Sequence, residues 1–177
     1  KLFFAATSDR TGTELWRSDG TKAGTVIVEN IRVGSDSSNP RYLTVFNGKL
    51  YFSANDGNYG AELWMSDGVA RMDGVPGMPG DTGIGGTSMV ADVRAGSAGS
   101  SPKFLTATAT FLFWQANDGT NGVELWALGT GAADVPALVK NINPTAGASS
   151  NPSYMVSHNG KVYFQANDGA MGAELWE

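Results

Sequence analysis

The chain has no cysteine. That excludes disulfides, thiol nucleophiles and cysteine-ligated metal. It has one histidine, His158, so a Ser-His-Asp triad has only one candidate base and a histidine-rich metal site is excluded. His158 stands just before an Asn-Gly pair, which is a turn position and not a catalytic setting. Charge is scarce as well. Charged residues are 16% of the chain, against roughly 25% in an average globular domain. There are 12 Lys+Arg and 17 Asp+Glu, a net charge of −5, and no basic run to neutralise phosphates, so nucleic acid is not an expected partner. No apolar run approaches the ~20 residues that a membrane-spanning helix needs. No stretch of useful length has helical period. What is abundant is glycine, at 24 residues, within a chain that is still 41% hydrophobic. That apolar content is enough to build a core and argues against disorder.

The residues that are present repeat. Glu-Leu-Trp occurs at 14–16, 62–64, 124–126 and 174–176, at intervals of 48, 62 and 50 residues. Other blocks recur in phase. Tyr51-Phe-Ser-Ala-Asn-Asp-Gly57 matches Phe113-Trp-Gln-Ala-Asn-Asp-Gly119 and Tyr163-Phe-Gln-Ala-Asn-Asp-Gly169, with Phe3-Phe-Ala-Ala-Thr-Ser-Asp9 a weaker first copy. Val28-Glu-Asn-Ile31, Val90-Ala-Asp-Val93 and Val139-Lys-Asn-Ile142 form a second family of matches. Pro40-Arg-Tyr-Leu43, Pro102-Lys-Phe-Leu105 and Pro152-Ser-Tyr-Met155 form a third. The long interval holds a Gly/Pro-rich insertion at 68–86, whose composition suits neither strand nor helix and reads as a surface loop.

Each unit has the grammar of short strands separated by turns. In the second copy, strands are predicted at 42–46, 49–54, 61–66 and 88–93. Asn47-Gly48 gives a tight hairpin, since both residues accept positive φ, and the Asn55-Asp56-Gly57 stretch gives a wider turn. Four antiparallel strands per unit, joined to the next unit by a longer Ser/Gly link ending in proline, is the layout of a β-propeller blade. The expected fold class is therefore all-β, a propeller-like repeat with about 14 strands in one domain spanning 1–177. The blades fall at 1–33 (partial), 40–94, 102–142 and 152–177 (partial). The first blade lacks its inner strand and the last its outer strand. A fragment of a longer array, a small ring with incomplete ends, and strand exchange between copies all account for this.

The stretch Glu14-Leu-Trp-Arg-Ser-Asp-Gly-Thr-Lys-Ala-Gly-Thr25 resembles the ELWxxDGT repeat of large bacterial surface or secreted proteins. The resemblance runs along essentially all of the chain. It departs from the pattern after Trp64, where Val69 replaces Thr, after Trp126, where the turn reads Leu128-Gly129-Thr130, and in the first repeat, where Thr7-Ser8-Asp9 stands for Asn-Asp-Gly. It implies an extracellular or cell-surface location and a repetitive, propeller-like architecture. It implies no defined chemistry.

Three sets of repeated residues are candidate functional positions. Trp16, Trp64, Trp126 and Trp176 could stack on sugars, but a residue repeated in every blade is expected to be packing material. Glu14, Glu62, Glu124 and Glu174 could suggest a glycosidase. Such an enzyme needs two carboxyls about 5–10 Å apart in different environments, whereas these are equivalent by repeat and sit in different blades. The expectation is structural, with each Glu accepting hydrogen bonds from backbone or from Lys49 and Lys161. Asp56, Asp118 and Asp168, in their Gly-rich turns, could ligate Ca²⁺. Bonding to their own turn backbone is the simpler role. No phosphate-binding loop or dinucleotide fingerprint is present, and no cofactor is expected.

The leading functional expectation is a non-enzymatic extracellular structural or adhesive repeat protein. It would self-associate, or join neighbouring repeats, through incomplete terminal blades into a surface array or filament. The alternatives are a glycan- or protein-binding propeller module, with the 68–86 insertion as its contact loop, and a polysaccharide-active enzyme.

Overall fold

A computed structural model of the chain describes residues 1–70, 86–131 and 133–177. The insertion expected at 68–86 lies, over 71–85, outside the described residues. The described residues form fourteen strands and no helix. These are β1 (Leu2–Ser8), β2 (Gly12–Ser18), β3 (Val26–Glu29), β4 (Arg41–Phe46), β5 (Lys49–Asn55), β6 (Ala61–Ser66), β7 (Thr87–Ala91), β8 (Lys103–Ala107), β9 (Phe111–Asn117), β10 (Val123–Gly129), β11 (Ala137–Lys140), β12 (Ser153–His158), β13 (Lys161–Asn167) and β14 (Ala173–Trp176).

They make four antiparallel sheets in chain order: β1-β2-β3, β4-β5-β6-β7, β8-β9-β10-β11 and β12-β13-β14. The expected partition into three, four, four and three strands is the one observed. The hairpins follow from turn chemistry. Asn47 and Gly48 have φ of 47° and 73°, and Asn159 and Gly160 have 49° and 78°. Positive φ at both central residues is what a two-residue hairpin turn matched to strand twist requires. The third sheet lacks the Asn-Gly pair, and Thr108 closes its hairpin instead. The Thr108 N–H donates to the Phe111 carbonyl at 2.8 Å, and its Oγ1 accepts the Phe111 N–H at 3.0 Å.

Strand alternation decides which sheet meets which. Leu15, Val28 and Ile31 from the first repeat pack on Leu50, Phe52 and Ala54 of the second sheet, with Trp64 alongside. One unit on, Leu63 and Tyr51 meet Leu112, Trp114, Ala116 and Leu128, with Trp126 packed against them. Leu125 and Ile142 then meet Val162, Phe164 and Ala166, with Trp176 beside them. The middle Leu of Glu-Leu-Trp thus faces the following sheet, and the Trp faces the preceding one. The core is three inter-sheet layers built from one design. Each fully buried large apolar side chain contributes about 1.5–3 kcal/mol. The first strands of the second, third and fourth sheets draw together, β8 contacting both β4 and β12. The sheets pack in succession, and no closed ring is detected among the described residues.

Candidate functional site

The repeated glutamates sit where each sheet meets the link that follows it. Glu14, Glu62 and Glu124 are 0% exposed. A buried carboxylate has to be saturated with donors, and the link supplies them. Glu14 accepts the N–H groups of Ile31 (3.1 Å), Arg32 (3.4 Å) and Ser38 (3.0 Å) and the Ser38 hydroxyl (2.5 Å). Glu62 accepts those of Val93 (3.3 Å), Arg94 (3.4 Å) and Ser100 (2.6 Å) and the Ser100 hydroxyl (2.5 Å). Glu124 accepts Ile142 (2.9 Å), Ser150 (2.9 Å) and the Ser150 hydroxyl (2.6 Å). Backbone donors are as expected. The lysines take no part: Lys161 pairs with Glu177 at 2.6 Å, and the Lys49 ammonium lies 3.5 Å from the Met65 sulfur.

The same serines reach the next sheet. The carbonyls of Ser38, Ser100 and Ser150 accept the N–H groups of Asn55 (3.0 Å), Asn117 (2.9 Å) and Asn167 (2.9 Å). Each serine is therefore a staple, held by the glutamate of one sheet through N–H and Oγ and holding the next sheet through C=O. The glycine two residues before each glutamate makes room. A Cβ on Gly12 would lie 2.5 Å from the Asp36 carbonyl oxygen, and one on Gly122 2.0 Å from that of Ala148. Gly172 has nothing within 4 Å, and Glu174 beside it is exposed. Among the described residues no link lies over the fourth copy of the motif.

Burial raises the Glu14 and Glu62 carboxyls above their ordinary value, against the opposing pull of the hydrogen bonds from Ser38, Ile31 and Arg32 and from Ser100, Val93 and Arg94. These carboxyls are buried and hydrogen-bonded to the backbone and serine of the following link.

The turn aspartates belong to three different sheets, each in the turn between its second and third strands counted from the first-strand position β4, β8 or β12. Asp56 Oδ1 accepts the Asn58 and Tyr59 N–H groups (2.9 and 3.0 Å). Asp118 Oδ1 accepts those of Thr120 and Asn121 (2.8 and 2.7 Å), and its Oδ2 takes the Asn121 amide (2.7 Å). Asp168 Oδ1 accepts those of Ala170 and Met171 (2.8 and 2.9 Å). For Asp118, burial pushes the carboxyl up but the Asn121 and Thr120 bonds outweigh it, and the group sits below its ordinary value. Asp168 is lowered by its Met171 and Ala170 bonds. Among the described residues no group of three or more His, Asp or Glu side chains gathers around a common point.

The four tryptophans are half-buried and pair across the sheet with Phe4, Phe52, Trp114 and Phe164. The Trp176 indole N–H donates to the Ala166 carbonyl at 3.1 Å.

The strands β4, β8 and β12 share a backbone irregularity. Arg41, Lys103 and Ser153 begin β4, β8 and β12, and the aromatic residue after each, Tyr42, Phe104 and Tyr154, has φ of 58°, 56° and 52°. The ladder slips at these points, between Arg41 and Thr44, Lys103 and Thr106, and Ser153 and Val156. A bulge of this kind re-aims a side chain, and all three rings are exposed. The Tyr42 and Phe104 rings lie 5.9 Å apart, tilted by 57°. Beside Tyr42, and lined also by Ser53 and Asn55 of the second sheet and Lys103 of the third, is a cavity of about 330 Å³.

No protein-family model, curated protein or solved structure matches this chain.

Proposed function

We propose that the chain is a non-enzymatic, extracellular or cell-surface structural repeat protein of the ELWxxDGT kind. Its sheets are the blades of a propeller-like array, and its end sheets pack on a matching sheet, of a neighbouring repeat or of a second copy. The observation that carries this reading is that the two end sheets present the unfilled halves of an interface that is filled three times within the chain.

Leu2, Phe4, Ala6 and Trp16 occupy in the first sheet the positions that Leu50, Phe52, Ala54 and Trp64 occupy in the second. In the second sheet those side chains pack on the preceding sheet. Leu175 stands where Leu15, Leu63 and Leu125 stand. Those three are 0–3% exposed under the following sheet, whereas Leu175 is 78% exposed. Leu2 is 66% exposed. The first sheet of one copy therefore fits the fourth sheet of another by the same packing that joins neighbouring sheets inside the chain. Such a contact is heterologous, and it propagates unless the rotation per copy closes a ring. The full engagement of Glu14, Glu62 and Glu124 as acceptors supports the non-enzymatic part of the reading.

Light scattering across a concentration series tests it. The mass should rise above that of one chain with concentration, and Leu175→Glu, which places a charge in the contact, should hold it at one chain. A wild-type mass that stays at one chain throughout would overturn the reading.

A further inference from the structure

We propose that the notch beside Tyr42, between the second and third sheets, binds a carboxylate-bearing sugar, a uronate unit of an acidic polysaccharide. The inference stands apart from the assembly reading, because the notch is formed by two interior sheets of a single chain.

The notch is a cavity of about 330 Å³ whose lining includes Arg41, Tyr42, Ser53, Asn55, Ser101 and Lys103. Its volume is at the small end of ligand pockets, suited to one or two sugar rings and not to a folded partner. Its charge is opposite to that of the chain. The lining holds two cations and no carboxylate, on a protein of net charge −5. Among the described residues neither the Arg41 nor the Lys103 side chain has an ion pair or a hydrogen bond within the fold. Two unpaired cations in one cavity favour an anion there, and the guanidinium offers a planar fork matched to a carboxylate.

The aromatic wall narrows the class. Tyr42 is held in the left-handed region, a strained conformation for a bulky residue, and the bulge leaves its ring exposed at the cavity. A flat ring face suits the C–H face of a sugar. Asn55 adds donors: its Oδ1 is taken by the Gly57 N–H at 2.7 Å, which leaves the amide N–H₂ for ligand hydroxyls. Ser53 and Ser101 add hydroxyls. Aromatic face, hydroxyl partners and two cations together describe an acidic sugar better than an acidic peptide, which would use the cations and leave the ring and amide idle. Lys103 repeats the Arg41 position one sheet on, so the notch takes one cation from each of the two sheets it lies between.

Isothermal titration of the whole chain with oligogalacturonate and oligomannuronate, a neutral galacto-oligosaccharide and oligoglutamate tests the assignment. Saturable binding is expected for at least one of the two uronates, at least tenfold tighter than for the neutral sugar or oligoglutamate and weaker at high salt. The double variant Arg41→Gln/Lys103→Gln should bind at least tenfold more weakly. So should Tyr42→Gly, which removes the ring yet suits the positive φ, so its melting temperature should not fall. Failure to bind either uronate, equal binding of oligoglutamate, or wild-type affinity in either variant would overturn the proposal.

Discussion

Replacing one glutamate by alanine at two equivalent positions separates the staple from the motif. Glu62 and Glu174 occupy the same place in Gly-x-Glu-Leu-Trp, yet Glu62 is buried with four donors on it and Glu174 is exposed. Glu62→Ala removes the acceptor from three backbone N–H groups and one hydroxyl. A buried donor left without a partner costs about 1–3 kcal/mol. The contacts from Val93 and Arg94 are long, at 3.3 and 3.4 Å, and belong at the low end of that range. The Ser100 N–H at 2.6 Å belongs higher. The sum is about 3–5 kcal/mol, a large part of the ~5–15 kcal/mol that holds a typical domain folded. Glu174→Ala breaks no bond within the chain and should stay within about 0.5 kcal/mol.

Glu62→Gln should fall between the two. Its oxygen can take the Oε1 place, where it accepts from Arg94 and Ser100. Its N–H₂ then meets the Ser100 hydroxyl, which can turn to accept, and only the Val93 N–H is stranded. The neutral amide also escapes the burial that disfavours the charged carboxylate, so the net cost is about 1 kcal/mol. Urea denaturation of the three variants and wild type reads these differences from the shift in midpoint at constant slope. Equal costs for Glu62→Ala and Glu174→Ala, or a Glu62→Gln as damaging as Glu62→Ala, would refute the staple.

Three further outcomes follow from the same geometry. Gly122→Ala forces a Cβ within 2.0 Å of the Ala148 carbonyl oxygen and should cost at least about 3 kcal/mol, whereas Gly172→Ala, with open space around it, should cost only the ~1–2 kcal/mol of the left-handed backbone; paired thermal melts compare them. Because the Glu14 and Glu62 carboxyls are raised in the fold, their favourable contribution is full below the unfolded value of about 4.3 and is lost as pH rises through the folded value. The urea midpoint should therefore climb as pH drops from 7 toward about 4.5, less so in Glu62→Gln, and a midpoint that only falls over this range contradicts the assignment. Asp118 and Asp168, both lowered, act in the opposite sense, their contribution being present above about 3.9 and lost below it. Asp118→Asn should flatten that acid limb when the titration is carried on below about pH 3.9.

What the sequence makes legible is what each residue encodes locally. Asn47-Gly48 can form one kind of turn, and it does. The alternation in Glu-Leu-Trp places Leu on one face and Glu and Trp on the other, and the packing of Leu63 against the third sheet follows from it. The structural role of the glutamates is legible from their equivalence by repeat. Their partner is harder to read, because Ser38, Ser100 and Ser150 are distant in sequence and common in composition. The available signal is a serine two residues before each repeated proline, paired in phase with a glycine two residues before each glutamate. The left-handed Tyr42, Phe104 and Tyr154 are less legible still. Nothing about an aromatic residue advertises positive φ, and the bulges fall in β4, β8 and β12, the strands that contact one another across sheets.

The central claim is that the first and fourth sheets carry matching halves of one interface, so that isolated chains associate through them. Negative-stain electron microscopy of the wild-type protein at high concentration, beside Leu175→Glu, tests it most directly. The account predicts rods or closed rings larger than one chain for the wild type and single-chain particles for the variant. Isolated single-chain particles in both samples would contradict it.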